Sequence, residues 1–226
     1  MTRFFIILAG FSLIANCLYA QEDLGQKIVL GARNQVGKTI RYDPSYQILD
    51  YPNGDVEISG GVCTDVIIRA LRDSIALDLQ KAVHEDMVTH FSKYPKNWGL
   101  SKPDKNIDHR RVPNLQMYLK RQGFEVPVSE NPNDYKAGDI VTCIVPPNLP
   151  HIMIVSDIFD DFGVPYVIHN IGSGTKEEYC LFQFQLTGHY RIRKVEQADA
   201  PNYHAFGTFG ADPADAGSAP KASGSR

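Results

Sequence analysis

No stripe of lysine and arginine runs along this 226-residue chain, in which 23 basic side chains face 26 acidic ones and the formal net charge is −3. That balance leaves no electrostatic footprint for a polyphosphate, so a nucleic-acid function is set aside. Beyond the first twenty residues no apolar run is long enough to cross a bilayer, and stable membrane insertion is not expected. Neither a C-x-x-C pair nor an H-E-x-x-H helix occurs, so the paired ligands of the common zinc sites are missing. No internal repeat is present. Cysteine is scarce, at four residues, and one of these, Cys17, lies in the N-terminal apolar stretch.

That stretch, "MTRFFIILAGFSLIANCLYA", places Arg3 before an apolar run and Ala20 before the polar "QEDLGQ". It reads as a cleavable secretory signal over residues 1–20, with a retained anchor as the alternative, and implies a secreted or periplasmic protein. Cys63, Cys143 and Cys180 would then remain, and an odd number in an exported chain leaves at least one thiol free or paired elsewhere. Cys143 and Cys180 lie in strand-like runs and could be bridged or simply buried. From Ala198 the chain turns to Ala, Gly, Pro, Ser and Asp without apolar period, so residues 198–226 are expected to be a disordered tail. The whole chain is 43% hydrophobic, and the body, residues 22–197, is long enough for one domain with a real core.

Within the body, Leu24, Ile28, Ala32 and Val36 recur at intervals of four, predicting a first helix that stops at Gly37. The segment from Thr39 to Asp55 is extended and rich in turns. Val62, Val66, Ile67, Ala70 and Leu71 give the buried stripe of a second helix that begins at Cys63. Helices are also predicted over 78–94 and 112–123, the latter with Pro113 in its first turn. After Gly123 the period shortens: "GDIVTCIV", "HIMIVSDIF", "VPYVIHNIG", "EYCLFQFQL" and "GHYRIR" read as short strands, close enough together for antiparallel pairing. Helices first and a strand meander second argue an α+β domain with helices packed on one side of a sheet.

"GGVCTDV" stages a thiol at a helix start behind two glycines. Unpaired N–H groups and the positive dipole end stabilise an anion there, so the Cys63 thiol is expected to have a lowered pKa and to serve as a nucleophile. Gly60 and Gly61 leave room for a substrate backbone, and the Cys63 N–H could serve an oxyanion. Such a thiol needs a base, and the base an orienting partner. His84 and His90 are six residues apart and share no helix face, His204 belongs to the tail, and His189 reads as structural. His151 opens an apolar strand and His169 closes the next one before a glycine turn, so neighbouring strands would bring their rings together.

These stretches, with "RYDPSY", "HEDM", "NIDHRRVPNL" and "LPHI", resemble the bacterial family catalogued as domain of unknown function 1287, over about residues 25 to 193. "AGDIV", "HIMIVSD" and "VIHNIGSG" also resemble the strand pattern of NlpC-type cysteine peptidases and amidases of the cell wall. The resemblance implies a papain-like fold, N-terminal helices packed against an antiparallel β-sheet or partial barrel. It also implies Cys63 as nucleophile, His151 as general base and His169 as orienter, with no metal or cofactor. Tyr42 in "IRYD" falls near where those enzymes keep a tyrosine beside the nucleophile. The chain departs from their pattern with Cys-Thr-Asp at the nucleophile and with a helical insertion over residues 79–123. Tyr42, Asp65, Arg110 and Arg111 are the candidate substrate contacts, since arginine pairs bidentately with carboxylates; solvated capping charges are the plainer reading of "DHRR". The expected activity is hydrolysis of an amide bond, in a peptide or a peptidoglycan fragment. A zinc-dependent hydrolase using Cys63, His151 and His169, a non-catalytic wall-binding module and a thiol acyltransferase are the alternatives.

Overall fold

Apolar side chains recur every three to four positions in the first half of the chain and every second position in the later part, and the fold follows that change of period. A computed structural model describes residues 24–193; the expected signal segment and the tail lie outside the described residues. Four helices come first: α1 over residues 24–33, α2 Cys63–Ile75, α3 Leu79–His90 and α4 Val112–Arg121. Six strands follow: β1 Glu125–Val126, β2 Ile140–Val145, β3 Leu149–Phe159, β4 Pro165–Asn170, β5 Thr175–Glu178 and β6 Gln185–Tyr190. They form one open antiparallel sheet in the order β1-β6-β2-β3-β4-β5, so β6 returns to the far side of β2. No helix among the described residues is long and apolar enough to cross a membrane.

The sheet is buried on both faces, and the alternation of side chains sorts two cores. Ile140, Ile152, Ile154 and Ile168 join Val66, Ile67, Ala70 and Leu71 of α2 and Ile28 of α1 in the larger one. Val141, Cys143, Met153, Val155 and Val167 face the other way, where Tyr135, Cys180 and Leu181 cover them. This second core was not expected from the sequence. It also accounts for one misplaced strand. "EYCLFQFQL" has strand composition, yet β5 ends at Glu178, and Cys180 and Leu181 turn inward with Gln183 N–H donating to Cys180 O. The strand resumes only at Gln185. Val36, expected on the buried stripe of α1, sits in the turn after it and is exposed.

Helix α1 is held at both ends. A Cβ on Gly25 would lie 2.2 Å from Ala137 O, and one on Gly138 would lie 2.6 Å from Gly25 Cα, so only glycine lets the helix meet the turn that enters β2. At its other end Arg33 donates to both oxygens of Glu177 and to Asp157, tying α1 to β5 and β3.

Asp139, just before β2, is buried among hydrogen-bonding partners. Arg191 donates to both carboxylate oxygens at 2.7 and 2.6 Å, His189 Nε2 lies 2.7 Å away, and the Lys136 N–H adds 2.8 Å. Burial pushes this carboxyl up, but the bonds from Arg191, His189 and Lys136 outweigh it and hold it below its usual range. His189 is thus a structural residue, as the sequence suggested. A carboxyl that titrates lower when folded stabilises the fold fully above its unfolded value near pH 4 and loses that contribution as pH falls through the folded value. Asp139→Asn should cost about 3 kcal/mol at neutral pH, and the gap from wild type should shrink as the pH is lowered. Thermal unfolding of both proteins between about pH 3 and pH 7 measures this.

Candidate functional site

The local sequence around Cys63 builds a helix start without a conventional cap. Val62 precedes the helix, and its N–H donates to Asp65 Oδ2 at 2.6 Å. Gly61 adopts φ +149°, and a Cβ there would meet Asp65 Oδ2 at 3.0 Å, so the loop needs glycine to enter the helix so closely. β3 and β4 pair at Ile154↔Ile168 and Val155↔Val167, but the ladder does not continue to Ile152. In the gap Asn170 Nδ2 donates instead to Gly61 O at 2.9 Å and Arg41 O at 3.1 Å. The glycine loop is thereby fastened to the sheet, and the Ile152 N–H, with those of Thr64 and Cys63, faces the thiol. Cys63 is therefore held beside the residue that follows His151.

His151 and His169 meet directly. Nε2 of the first lies 2.8 Å from Nδ1 of the second, with ring centroids 5.0 Å apart and planes 72° apart. His169 Nε2 is 3.3 Å from Glu178 Oε2 and 3.5 Å from Cys180 Sγ. Across β2 and β3, Cys143 stands opposite His151. The two imidazole nitrogens that face each other are occupied by one another, which leaves no room for a cation shared between them. No side-chain hydrogen bond joins Cys63 to His151 among the described residues, an arrangement common where catalytic contacts tighten only on substrate.

Burial dominates the electrostatics. It pushes the Cys63 thiol up to about 12, helped by Asp65 and opposed by the three N–H groups. The lowered value expected from the helix start is thus corrected: in the free protein the dipole end is outweighed by desolvation. Burial, with His169 beside it, pushes His151 down to about 3. His169 is lowered for the same reason, against the pull of Glu178. The resting pair is a neutral thiol and a neutral imidazole. All three described cysteines are free and buried, so the bridge considered between Cys143 and Cys180 is absent.

A cleft of about 430 Å³ opens on Cys63, walled by Tyr42, Trp98, Arg111 and Pro150. Tyr42 is partly exposed on that wall, and burial and the nearby Cys63 push its phenol up to about 12, so it is an O–H donor. Arg111 lies over the Trp98 ring at 4.1 Å and gives Nη1 to Asp108 at 3.0 Å. Asp65 and Arg110 are used differently from the contacts expected of them. Arg110 Nε and Nη2 donate to the two Asp65 oxygens at 2.9 Å each, and the remaining donors reach Ser45 O and Asp43 O. Arg110 lines the cleft, yet its hydrogen-bonding groups are spent on the protein. Trp98, Asn170 and Glu178 were not singled out from sequence. Only Glu178 carried a signal, an acid in the strand run after His169.

Residues 29–192 match the family described as "Domain of unknown function (DUF1287)". The "Uncharacterized protein YijF" of Escherichia coli (strain K12) is 53% identical over 171 residues, which is 76% of this chain and 83% of that protein.

The cleft and the raised thiol together set a reactivity pattern. Cys63 should react with iodoacetamide before Cys143 and Cys180, because it alone of the three lines the cleft. Its rate should climb about tenfold per pH unit between about pH 7 and pH 9, as the thiolate fraction does for a group titrating near 12. Mass-spectrometric labelling of the native protein reads both; a plateau near neutrality would mean a preformed thiolate.

Proposed function

The chain belongs to the DUF1287 family, and from the geometry of its site we propose that it is an exported thiol hydrolase of amide bonds, on a papain-like plan of the NlpC type. The observation that carries this reading is the 2.8 Å contact between His151 and His169, set beside a helix-start thiol that opens on a cleft. The contact also favours the triad over a zinc ion shared by Cys63, His151 and His169.

The proton positions follow from the hydrogen bonds. A carboxylate oxygen accepts and cannot donate, so His169 Nε2, facing Glu178, carries the proton. Nδ1 of the neutral ring then accepts from His151 Nε2–H, and Nδ1 of His151 is left as the bare nitrogen, a base for the thiol. As the Cys63 sulfur bonds to the amide carbon, Nδ1 takes the thiol proton. The oxyanion forms within reach of the Cys63 N–H and the Tyr42 hydroxyl. The proton passes to the leaving amine as the C–N bond breaks. Water, giving its proton to the same nitrogen, then splits the thioester. A neutral resting pair suits this sequence, because charge develops only with substrate in the cleft.

The substrate class rests on the resemblance and on the expected export: peptides of the cell wall. Arg111, braced on Trp98 at the cleft, is placed to meet a peptide carboxylate.

Purified peptidoglycan and its soluble stem peptides, incubated with the mature protein and read by mass spectrometry, should yield new amine and carboxyl termini. Cys63→Ala and His151→Ala should each lower the rate by about a thousandfold or more, without additivity. His169→Ala should leave residual activity, and His169→Asn should retain more of it, because an amide oxygen still accepts from the imidazole N–H. Near wild-type hydrolysis by a folded His151→Ala, with folding checked by circular dichroism, would remove it as the base.

A further inference from the structure

Behind the histidine pair, three different ligand types converge on one point. We infer that His169, Glu178 and Cys180 form a binding site for a thiophilic divalent cation of the zinc class, whose occupancy withdraws the base from Cys63. The binding itself stands independently; its effect on Cys63 rests on the hydrolase reading above.

Glu178 ends β5, and the bend at Tyr179 turns Cys180 inward beside it. The atoms His169 Nε2, Glu178 Oε2 and Cys180 Sγ lie within 4.8 Å of one another. The nitrogen stands 3.3 Å from the oxygen and 3.5 Å from the sulfur. A tetrahedral ion with bonds of about 2.05 Å to nitrogen and oxygen and about 2.3 Å to sulfur has N–O edges of about 3.3 Å and N–S edges of about 3.6 Å. Both observed separations match such edges. The nitrogen–oxygen separation also exceeds the roughly 2.7–2.9 Å of a charge-assisted N–H···O bond. Nitrogen, carboxylate and thiolate together suit zinc and its neighbours better than calcium or magnesium.

The surroundings fit as well. A metal-bound imidazole normally donates its other N–H to a fixed acceptor, and His169 Nδ1 has one in His151 Nε2 at 2.8 Å. His169 and Cys180 are buried, whereas the Glu178 side chain is 39% exposed and gives an ion its way in. Lys176 Nζ approaches Oε1 of Glu178 at 3.6 Å and leaves Oε2 to the site. Water would complete the fourth position.

Loading moves protons in a defined way. The Cys180 thiol proton leaves to solvent as sulfur binds the cation. The His169 ring stays neutral but carries its proton on Nδ1, since Nε2 holds the ion. That N–H donates to His151 Nε2, so His151 must carry its own proton on Nδ1. The nitrogen that would have accepted from Cys63 is then blocked.

Cobalt(II), titrated into the reduced, metal-free full chain, is the probe. One equivalent should give a near-ultraviolet sulfur-to-cobalt band with the visible bands of a tetrahedral ion, and zinc should abolish both. Cys180→Ser should lose the sulfur band, Glu178→Gln should weaken binding by about tenfold or more, and Cys63→Ser should bind as wild type. Absence of a band saturating near one equivalent, or a band that survives Cys180→Ser, overturns the site whatever Cys63 does. Imidazole 15N spectra with and without zinc report the second part: the His151 proton should move from Nε2 to Nδ1. A His151 ring unchanged by bound zinc overturns the coupling. Failure of the hydrolase reading appears separately, as intact peptidoglycan with metal-free wild type.

Discussion

Asp65 and Arg110 lie buried against each other, both with side chains at most 4% exposed, and the loops that shape the cleft close onto that pair. Asp65 also receives the Val62 N–H, while Arg110 takes the carbonyls of Ser45 and Asp43 and its own carbonyl accepts from Thr64 Oγ1. One ion pair therefore fixes three things: the start of the thiol-bearing helix, the extended segment that carries Tyr42, and the insertion that carries Arg111. Removing either partner alone would strand a buried charge at about 3–5 kcal/mol and loosen all three together. Arg69, about one turn along the same helix and fully buried, repeats the device with Asp55, Thr39 and the carbonyls of Val56 and Gly60. The glycine loop is thus held from below by Arg69 and from the front by Asp65.

This rigidity has an electrostatic counterpart. A thiol, two imidazoles and two further thiols share a region from which water is largely removed, and the thiols are driven up and the imidazoles down. Charge is disfavoured there on either partner alone. Helix-start N–H groups still face the sulfur, but their contribution is realised only when a counter-charge forms beside it.

Much of this was legible in the sequence because local chemistry and global position agreed. The glycines before Cys63, the stripe from Val62 to Leu71 and the first-turn Pro113 each point to one structure, and α2 begins at Cys63 as the pattern predicts; the strand read as opening at His151 begins two residues earlier, at Leu149. The misreadings share a physical cause. "EYCLFQFQL" satisfies strand propensity, but its apolar side chains are needed beneath the sheet, and tertiary packing prevails over propensity. The thiol's acidity was inferred from the helix end alone, which carries no information on how deeply the fold buries it. Asp65 and Arg110 looked like ligand contacts because nothing local reveals that residues 45 positions apart meet each other.

The sheet's two borders have a bearing on strand pairing between molecules. One is β1, only two residues long; the other is β5, Thr175–Glu178, where a lysine and two glutamates occupy three of four positions. A foreign strand approaching either border finds too short a ladder on one side and charges that must shed water on the other. The apolar central strands, β2 to β4, are thereby kept away from the borders at which a neighbouring chain could add a strand.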